Sequence, residues 1–421
     1  MAWLRPPAPT ASCVLQAALA AGPLGRRGPE LGALVAGSDQ DELVRLAVAQ
    51  GVAGPASLQL ASYLAPEPLG HLLAQGRLEA AQHFNHLAHL TRFAAALEQA
   101  GVAWVVLKGP ALAELAYKEA PRGYGDLDIM VPARQFHLAT EALQGAGLTF
   151  AQRNWPLMAR VARAQVTMAY GGTPLVDLHW DLVYKHSTRR HLRLPSDEVL
   201  GRRQRARLGN VEAWVLERTD FAAHIALHAA LSGAHRLRWL LDVQRTLLSC
   251  PPDWDEFSRR CRDWGVGLPV GATLARAKAT LGAPVPDGVV DELAGGRVNR
   301  ELVRRLSHWV PHGHLPGGRL FSAALTRSLR DSWLATGVEL SSELRQALTK
   351  LLAPRFVGPN DPRRLVDDVG GTQGFERYVA LACRADRYGR LAKRDMRHAR
   401  MVTWGSGQGH DEGHDVRKTP L

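Results

Sequence analysis

The order of apolar and polar positions along the chain divides it into helical flanks around a central mixed segment. From about Leu31 to Ala100 the pattern is helical. The run Asp39-Gln-Asp-Glu42 starts one predicted helix, its acids suited to the positive end of the helix dipole, with Leu43, Leu46, Ala47 and Val52 as its buried side. Between Arg77 and Ala100, Phe84, Leu87, Leu90, Phe93 and Leu97 recur at three- and four-residue steps, the signature of one helix face, and Gly101 stops it. The period then shortens. Ala103 to Leu107 is a short apolar, β-branched run that reads as a buried strand. Lys108-Gly109-Pro110 ends it, and Pro110 fits the first turn of a helix running from about Ala111 to Tyr117.

A loop with Pro121, Arg122, Gly123 and Gly125 leads to a second strand, Asp126 to Val131, and then to a helix over Pro132 to Gly145. Val166 to Tyr170 and Leu175 to Trp180 read as strands joined at Gly171-Gly172. Strand, helix, strand, helix and hairpin predict a small α/β core with a mixed sheet over 101–215. The whole is of the α+β class, with helical regions over 31–100 and 216–400 on either side. Residues 1–30, rich in Pro, Gly and Ala, read as a loose leader. Pro354 to Gly371 reads as a linker or long loop, and 401–421 as a disordered tail.

Composition narrows the class. The 421 residues are 46% hydrophobic and 22% charged, which fits a soluble globular protein with a sizeable core. The net charge of +12 suggests an anionic partner, but it is dispersed, with short clusters such as Arg202-Arg203-Gln204-Arg205 and no long basic block. The four cysteines form no C-x-x-C pair, so a disulfide framework or structural zinc site is not expected and a reducing cytoplasm fits. No apolar run is long enough to predict a membrane span, and the N-terminal segment is a poor signal peptide.

Chemistry concentrates in the central segment. Phosphoryl transfer needs charge neutralised on phosphate oxygens, and protein carboxylates do this by holding Mg²⁺, a hard ion that prefers oxygen. Carboxylates two residues apart on a strand share a face. Asp126 and Asp128 have that spacing, with Leu127, Ile129 and Val131 pointing into the core. Lys108-Gly109 lies between a strand end and a helix start, where Gly109 permits close approach of a phosphate and Lys108 supplies a point charge. Arg122, just before the acids, is a candidate phosphate clamp. A third carboxylate is expected on a neighbouring strand to complete the metal site or activate an acceptor hydroxyl, and Asp177 is the candidate. His179 and Asp181 share its face if the strand continues; His179 is a candidate acceptor-side residue, and Asp181 is expected at the surface. His224 and His228, four apart on a predicted helix, have metal-ligand spacing without an acid between them, so packing or an acceptor-side role is expected. Trp239 and Asp242, with His235 and Arg238, are candidates to line an acceptor pocket. His410, Asp411, Glu412, His414 and Asp415 form a tail cluster expected to be solvated.

The stretch Val105-Val-Leu-Lys-Gly-Pro-Ala-Leu112, with Tyr117, Arg122 and Gly125-Asp-Leu-Asp-Ile-Met-Val131, resembles the uncharacterised nucleotidyltransferase family of the polymerase-beta-like superfamily. Val176-Asp-Leu-His-Trp180 matches its acid-x-His-Trp strand, and His224-Ile-Ala-Leu-His228 and Arg236 to Asp242 match its following helices. The resemblance implies transfer of a nucleoside monophosphate from an NTP, such as ATP, to a small-molecule or protein acceptor. It implies Mg²⁺ (or Mn²⁺) on the paired aspartates. The sequence departs from the superfamily's Gly-Ser or Gly-Gly loop by having Gly109-Pro110, which lacks a backbone N–H and a hydroxyl for phosphate. An inactive nucleotide- or partner-binding protein on the same fold is therefore a second expectation. A nucleic-acid-binding protein, motivated by the positive charge, is a third.

Overall fold

A computed structural model of the chain describes residues 10–22, 25–308, 323–352, 365–386 and 390–397. Five helices come first: α1 (Ala11–Leu19), α2 (Gly28–Ala36), α3 (Gln40–Gln50), α4 (Ala53–Leu60) and the 34-residue α5 (Pro66–Gln99). Local sequence explains their ends. Asp39 caps α3 by accepting from the Glu42 N–H, and Gly51 closes it in the left-handed conformation. Along α5, Leu87, Leu90, Phe93 and Leu97 are buried as predicted, but Phe84 is 68% exposed, and at this turn His86 takes a buried place instead.

The residues expected as a loose leader are in part a helix. α1 buries Val14, Leu15, Ala18 and Leu19. Its end is tied to the far side of the sequence, with Ala21 N–H donating to Leu281 O and Gln244 Nε2 donating to Leu19 O. Burying such aliphatic side chains contributes about 1.5–3 kcal/mol each, which a loose segment would forgo.

The central segment is a seven-stranded mixed sheet. Its strands are β1 (Val105–Val106), β2 (Leu127–Met130), β3 (Thr149–Phe150), β4 (Gln165–Tyr170), β5 (Thr173–His179), β6 (Gln204–Leu208) and β7 (Val211–Val215), in the order β3-β4-β5-β2-β1-β7-β6. β2 is antiparallel to β1 and parallel to β5. The β4–β5 hairpin turns at Gly171 and Gly172, both at positive φ, as a tight hairpin requires. The β6–β7 hairpin was not predicted. Its strands are short and its outward positions are Arg- and Glu-rich, so only the Gly209-Asn210 turn marks it.

Between the strands lie α6 (Pro110–Ala116), α7 (Phe136–Gly145), α8 (Trp155–Arg160), α9 (His186–Arg189) and α10 (Ser196–Gly201). Six further helices follow: α11 (Arg218–Leu231), α12 (Leu237–Ser249), α13 (Trp254–Asp263), α14 (Gly267–Leu281), α15 (Val289–Ala294) and α16 (Arg297–His308). Then come α17 (Trp333–Leu352) and α18 (Gly371–Ala382). One continuous core runs from α1 through the sheet to α18, so sheet and flanking helices share their apolar packing. Most of the predicted 354–371 linker, and all of the 401–421 tail with its His/Asp cluster, lie outside the described residues.

Candidate active site

The register of two parallel strands sets the centre of the site. Asp128 on β2 lies directly beside Asp177 on β5, and Met130 lies beside His179. Alternation puts Asp128, Asp177 and His179 on one face while Ile129 and Leu178, both fully buried, take the other. Asp128, Asp177 and His179 each offer a ligand atom, and these atoms all lie within 4.8 Å of one another. The neighbouring strand orients the cluster: Thr167 Oγ1 on β4 donates to Asp177 Oδ1 at 2.7 Å. His179 Nε2 lies 3.3 Å from Asp128 Oδ1, and its buried Nδ1 has no hydrogen-bond partner among the described residues.

Lys108 reaches this cluster from the end of β1. The Leu107 N–H donates to Asp128 O, which brings the turn after β1 alongside β2. The Lys108 ammonium then pairs with Asp128 Oδ2 and lies 3.9 Å from Asp126 Oδ1. Gly109 makes the approach possible. Its φ of 63° and ψ of −112° disfavour any side chain, and a Cβ there would stand 3.1 Å from Asp126 O and 3.3 Å from the Tyr124 ring. Part of the role of Gly109 is thus close packing of two loops. α6, which follows, is a seven-residue helix starting at Pro110, as expected, and Pro110 removes one donor from its N-terminus.

Charge and burial oppose each other here. Burial alone would raise the Asp128 carboxyl, but the Lys108 ammonium and the His179 hydrogen bond outweigh it and hold it well below the usual carboxylate range. Burial would lower the Lys108 ammonium, and Asp128 and Asp126 together push it up instead. Asp126 is pushed up to about 6 by desolvation and by the charge of Asp128. It stands apart from the expected set of three aspartates. β2 begins only at Leu127, so Asp126 is on the loop side, 44% exposed, at the rim of the cluster.

The expected phosphate clamp is a brace. Arg122 is buried, and its Nε and Nη2 donate to the two oxygens of Asp242 on α12 at 2.7 and 2.8 Å. The Tyr117 hydroxyl donates to the same carboxylate at 2.7 Å. Asp242 therefore ties the loop before β2 to the helical region and does not present a free carboxylate to an acceptor pocket. Of the three Arg122 guanidinium nitrogens, Nη1 has no hydrogen-bond partner among the described residues. Trp239 is half-buried, edge-on to His235 at 4.8 Å and 5.7 Å from the Arg236 guanidinium. Arg238 packs against Gly51, where a Cβ would meet its Cδ at 2.9 Å.

His224 on α11 joins the site. It is buried, neither nitrogen has a partner among the described residues, and it feels the charges of Lys108, Asp128 and His179. Burial and then the Lys108 charge push it down to about 3, so the imidazole is neutral at pH 7. His228 lies one turn on, its ring 6.4 Å from that of His224, and is depressed for the same reasons. Asp181, expected at the surface, is fully buried. Its Oδ1 accepts from the Val183 N–H, and burial raises it to about 6 against the opposing charge of Arg189.

Sequence reading missed the network behind the loop. His83 on α5 bonds the Tyr124 hydroxyl through Nδ1 at 2.8 Å and Glu114 on α6 through Nε2 at 2.6 Å. His86, one turn along, stacks on the Tyr124 ring with centroids 4.8 Å apart. Together they fix the loop that carries Asp126. The two histidines three apart on α5 were the available signal, but nothing local pointed to Tyr124.

With this geometry in view, the model of the uncharacterised nucleotidyltransferase family matches residues 36–282, more than half of the chain. The match takes in the whole sheet, Lys108, the aspartates and α11 to α14. No curated protein and no solved structure matches the chain. Among the described residues, no helix is long and apolar enough to cross a membrane.

Proposed function

Because the chain belongs to the uncharacterised nucleotidyltransferase family, we propose that it transfers a nucleoside monophosphate from an NTP to a small-molecule or protein acceptor, with a divalent cation at the Asp128–Asp177 face. The observation that carries this reading is the parallel register of β2 and β5, which sets Asp128 beside Asp177. The donor set fits a divalent ion: two carboxylates and a buried imidazole with ligand atoms within 4.8 Å of one another. Mg²⁺ or Mn²⁺ bound there neutralises phosphate charge.

The chain's own groups divide the remaining work. Asp126, at the rim, completes the carboxylate set on the side from which substrate enters. Lys108 is the cation beside Asp126 and Asp128, available to phosphate oxygens as a point charge. His224 and His228, neutral and near the same charges, serve the acceptor side. A second reading, nucleotide binding without turnover, is favoured by Pro110, which removes an N–H from the loop after Gly109.

Incubation with α-labelled NTPs, Mg²⁺ or Mn²⁺ and a mixture of candidate acceptors tests the proposal. Label incorporation in the wild type that falls at least about 100-fold in Asp128→Asn supports transfer. Cation-dependent NTP binding without label transfer supports the second reading. Neither binding nor transfer, with wild type and variant alike, contradicts both.

A further inference from the structure

The set of groups that converges on the site differs from an all-carboxylate centre in one member. Asp126 is at the rim, half exposed, and His179 takes the interior position with Asp128 and Asp177. We propose that His179 supplies a nitrogen ligand to the cation, and that the resulting mixed donor set favours Mn²⁺ over Mg²⁺. This rests on the proposed function, in which the Asp128–Asp177 face holds a divalent cation.

Three observations support the assignment. The strand register fixes His179 on the same face as both carboxylates, so its position is set by β5 and not by a flexible loop. His179 is 6% exposed, and its Nδ1 has no hydrogen-bond partner among the described residues. Nε2 is the nitrogen that faces the carboxylates, 3.3 Å from Asp128 Oδ1, close enough for one ion to be held by both atoms.

Selectivity follows from donor chemistry. Mg²⁺ takes oxygen ligands in near-ideal octahedral geometry and gives up water reluctantly, so a buried imidazole is a poor member of its shell. First-row transition ions accept imidazole readily. Among them, Mn²⁺ also accepts the two carboxylates and phosphate oxygens. Asp126 remains outside this inner set, free to meet substrate at the rim.

The test is the binding of Mn²⁺ itself to the full chain, read by electron paramagnetic resonance with Mg²⁺ competition, and by electron spin echo envelope modulation of the bound ion. The wild type is expected to hold Mn²⁺ more tightly than Mg²⁺ by on the order of tenfold or more, with ¹⁴N modulation from a directly bound imidazole. His179→Gln, with its fold checked by circular dichroism, should lose the modulation and most of the preference, whereas His224→Gln should keep both. Bound Mn²⁺ without ¹⁴N modulation overturns the inference and leaves an oxygen-only centre, and with it the proposed function, standing. Modulation that persists in folded His179→Gln overturns the assignment to that residue. Absence of any Mn²⁺ or Mg²⁺ binding, with or without an NTP, overturns both. Should His179→Gln not fold, ¹⁵N-histidine labelling of the wild type decides: a ¹⁴N pattern unchanged by the label contradicts the inference.

Discussion

Two buried cation–carboxylate pairs, Arg122–Asp242 and Lys108–Asp128, look alike in sequence and behave differently in the fold. Both join a residue near the central loops to an aspartate on a secondary-structure element, and in both the carboxylate is almost wholly buried. In the first, a planar guanidinium fork meets both oxygens of Asp242, and the Tyr117 hydroxyl adds a third bond. Three donors hold that carboxylate inside the fold, both of its oxygens engaged. In the second, a single ammonium faces two acids, a third acid lies beside one of them, and an imidazole shares that one as well. One positive charge among Asp126, Asp128 and Asp177 leaves negative charge to be balanced. A saturated pair braces the molecule, and an unsaturated one invites a cation.

Removing the brace should have the largest effect. Asp242→Ala leaves the Arg122 guanidinium buried without its carboxylate, and a loss of about 3–5 kcal/mol in denaturant unfolding is expected. A loss under about 1 kcal/mol would mean that Arg122 finds another partner and that the pair is not structural. Lys108→Met acts on the other pair. It exposes Asp128 to its acidic neighbours, and a loss of about 2–3 kcal/mol is expected in metal-free buffer. Added Mn²⁺ should recover much of it, whereas Asp242→Ala should recover little. Equal rescue of both variants would erase the distinction. Tyr117→Phe, which deletes one of three bonds to Asp242, should cost only about 1–2 kcal/mol.

The smallest effect is in the pH dependence of stability. Asp126 is raised in the folded state to about 6 from an ordinary value of 3.8. The folded protein therefore holds this proton more tightly than the unfolded chain. Its contribution is fully present below about pH 4 and is lost as pH rises through about 6. Asp126→Asn should flatten the stability curve between those limits and raise the melting temperature slightly at pH 7. An unchanged pH profile would remove the like-charge crowding on which this side of the comparison depends.

The strands that carry the site were legible because their chemistry and their period coincide. Leu127, Ile129 and Leu178 alternate with Asp128, Asp177 and His179, and a period of two belongs to a strand with one apolar and one polar face. Helix α5 was legible because its apolar positions keep the helical period, and Phe84 keeps it too while staying exposed. What a one-dimensional reading could not supply was pairing at a distance. Arg122 and Asp242 are 120 positions apart, and each taken alone is as good a site residue as a brace. The burial of α1 depends on residues near Gln244 and Leu281, so its own Ala-rich sequence offered no reason to expect it. Asp181 looked exposed because the strand pattern ends before it, while Val183, whose N–H it accepts from, and the charge of Arg189 come later in the chain. The exchange of Asp126 for His179 in the inner set turns on where β2 begins, a difference of one residue that a periodic pattern does not resolve.

The most direct measurement of the central claim is calorimetric titration of an NTP into the protein with and without Mn²⁺, for wild type and Asp128→Asn. NTP binding by the wild type should require the cation. It should weaken on the order of 100-fold in the variant, measured at a temperature where circular dichroism shows the variant folded. NTP binding that is indifferent to both the cation and Asp128 would contradict a cation site at this face.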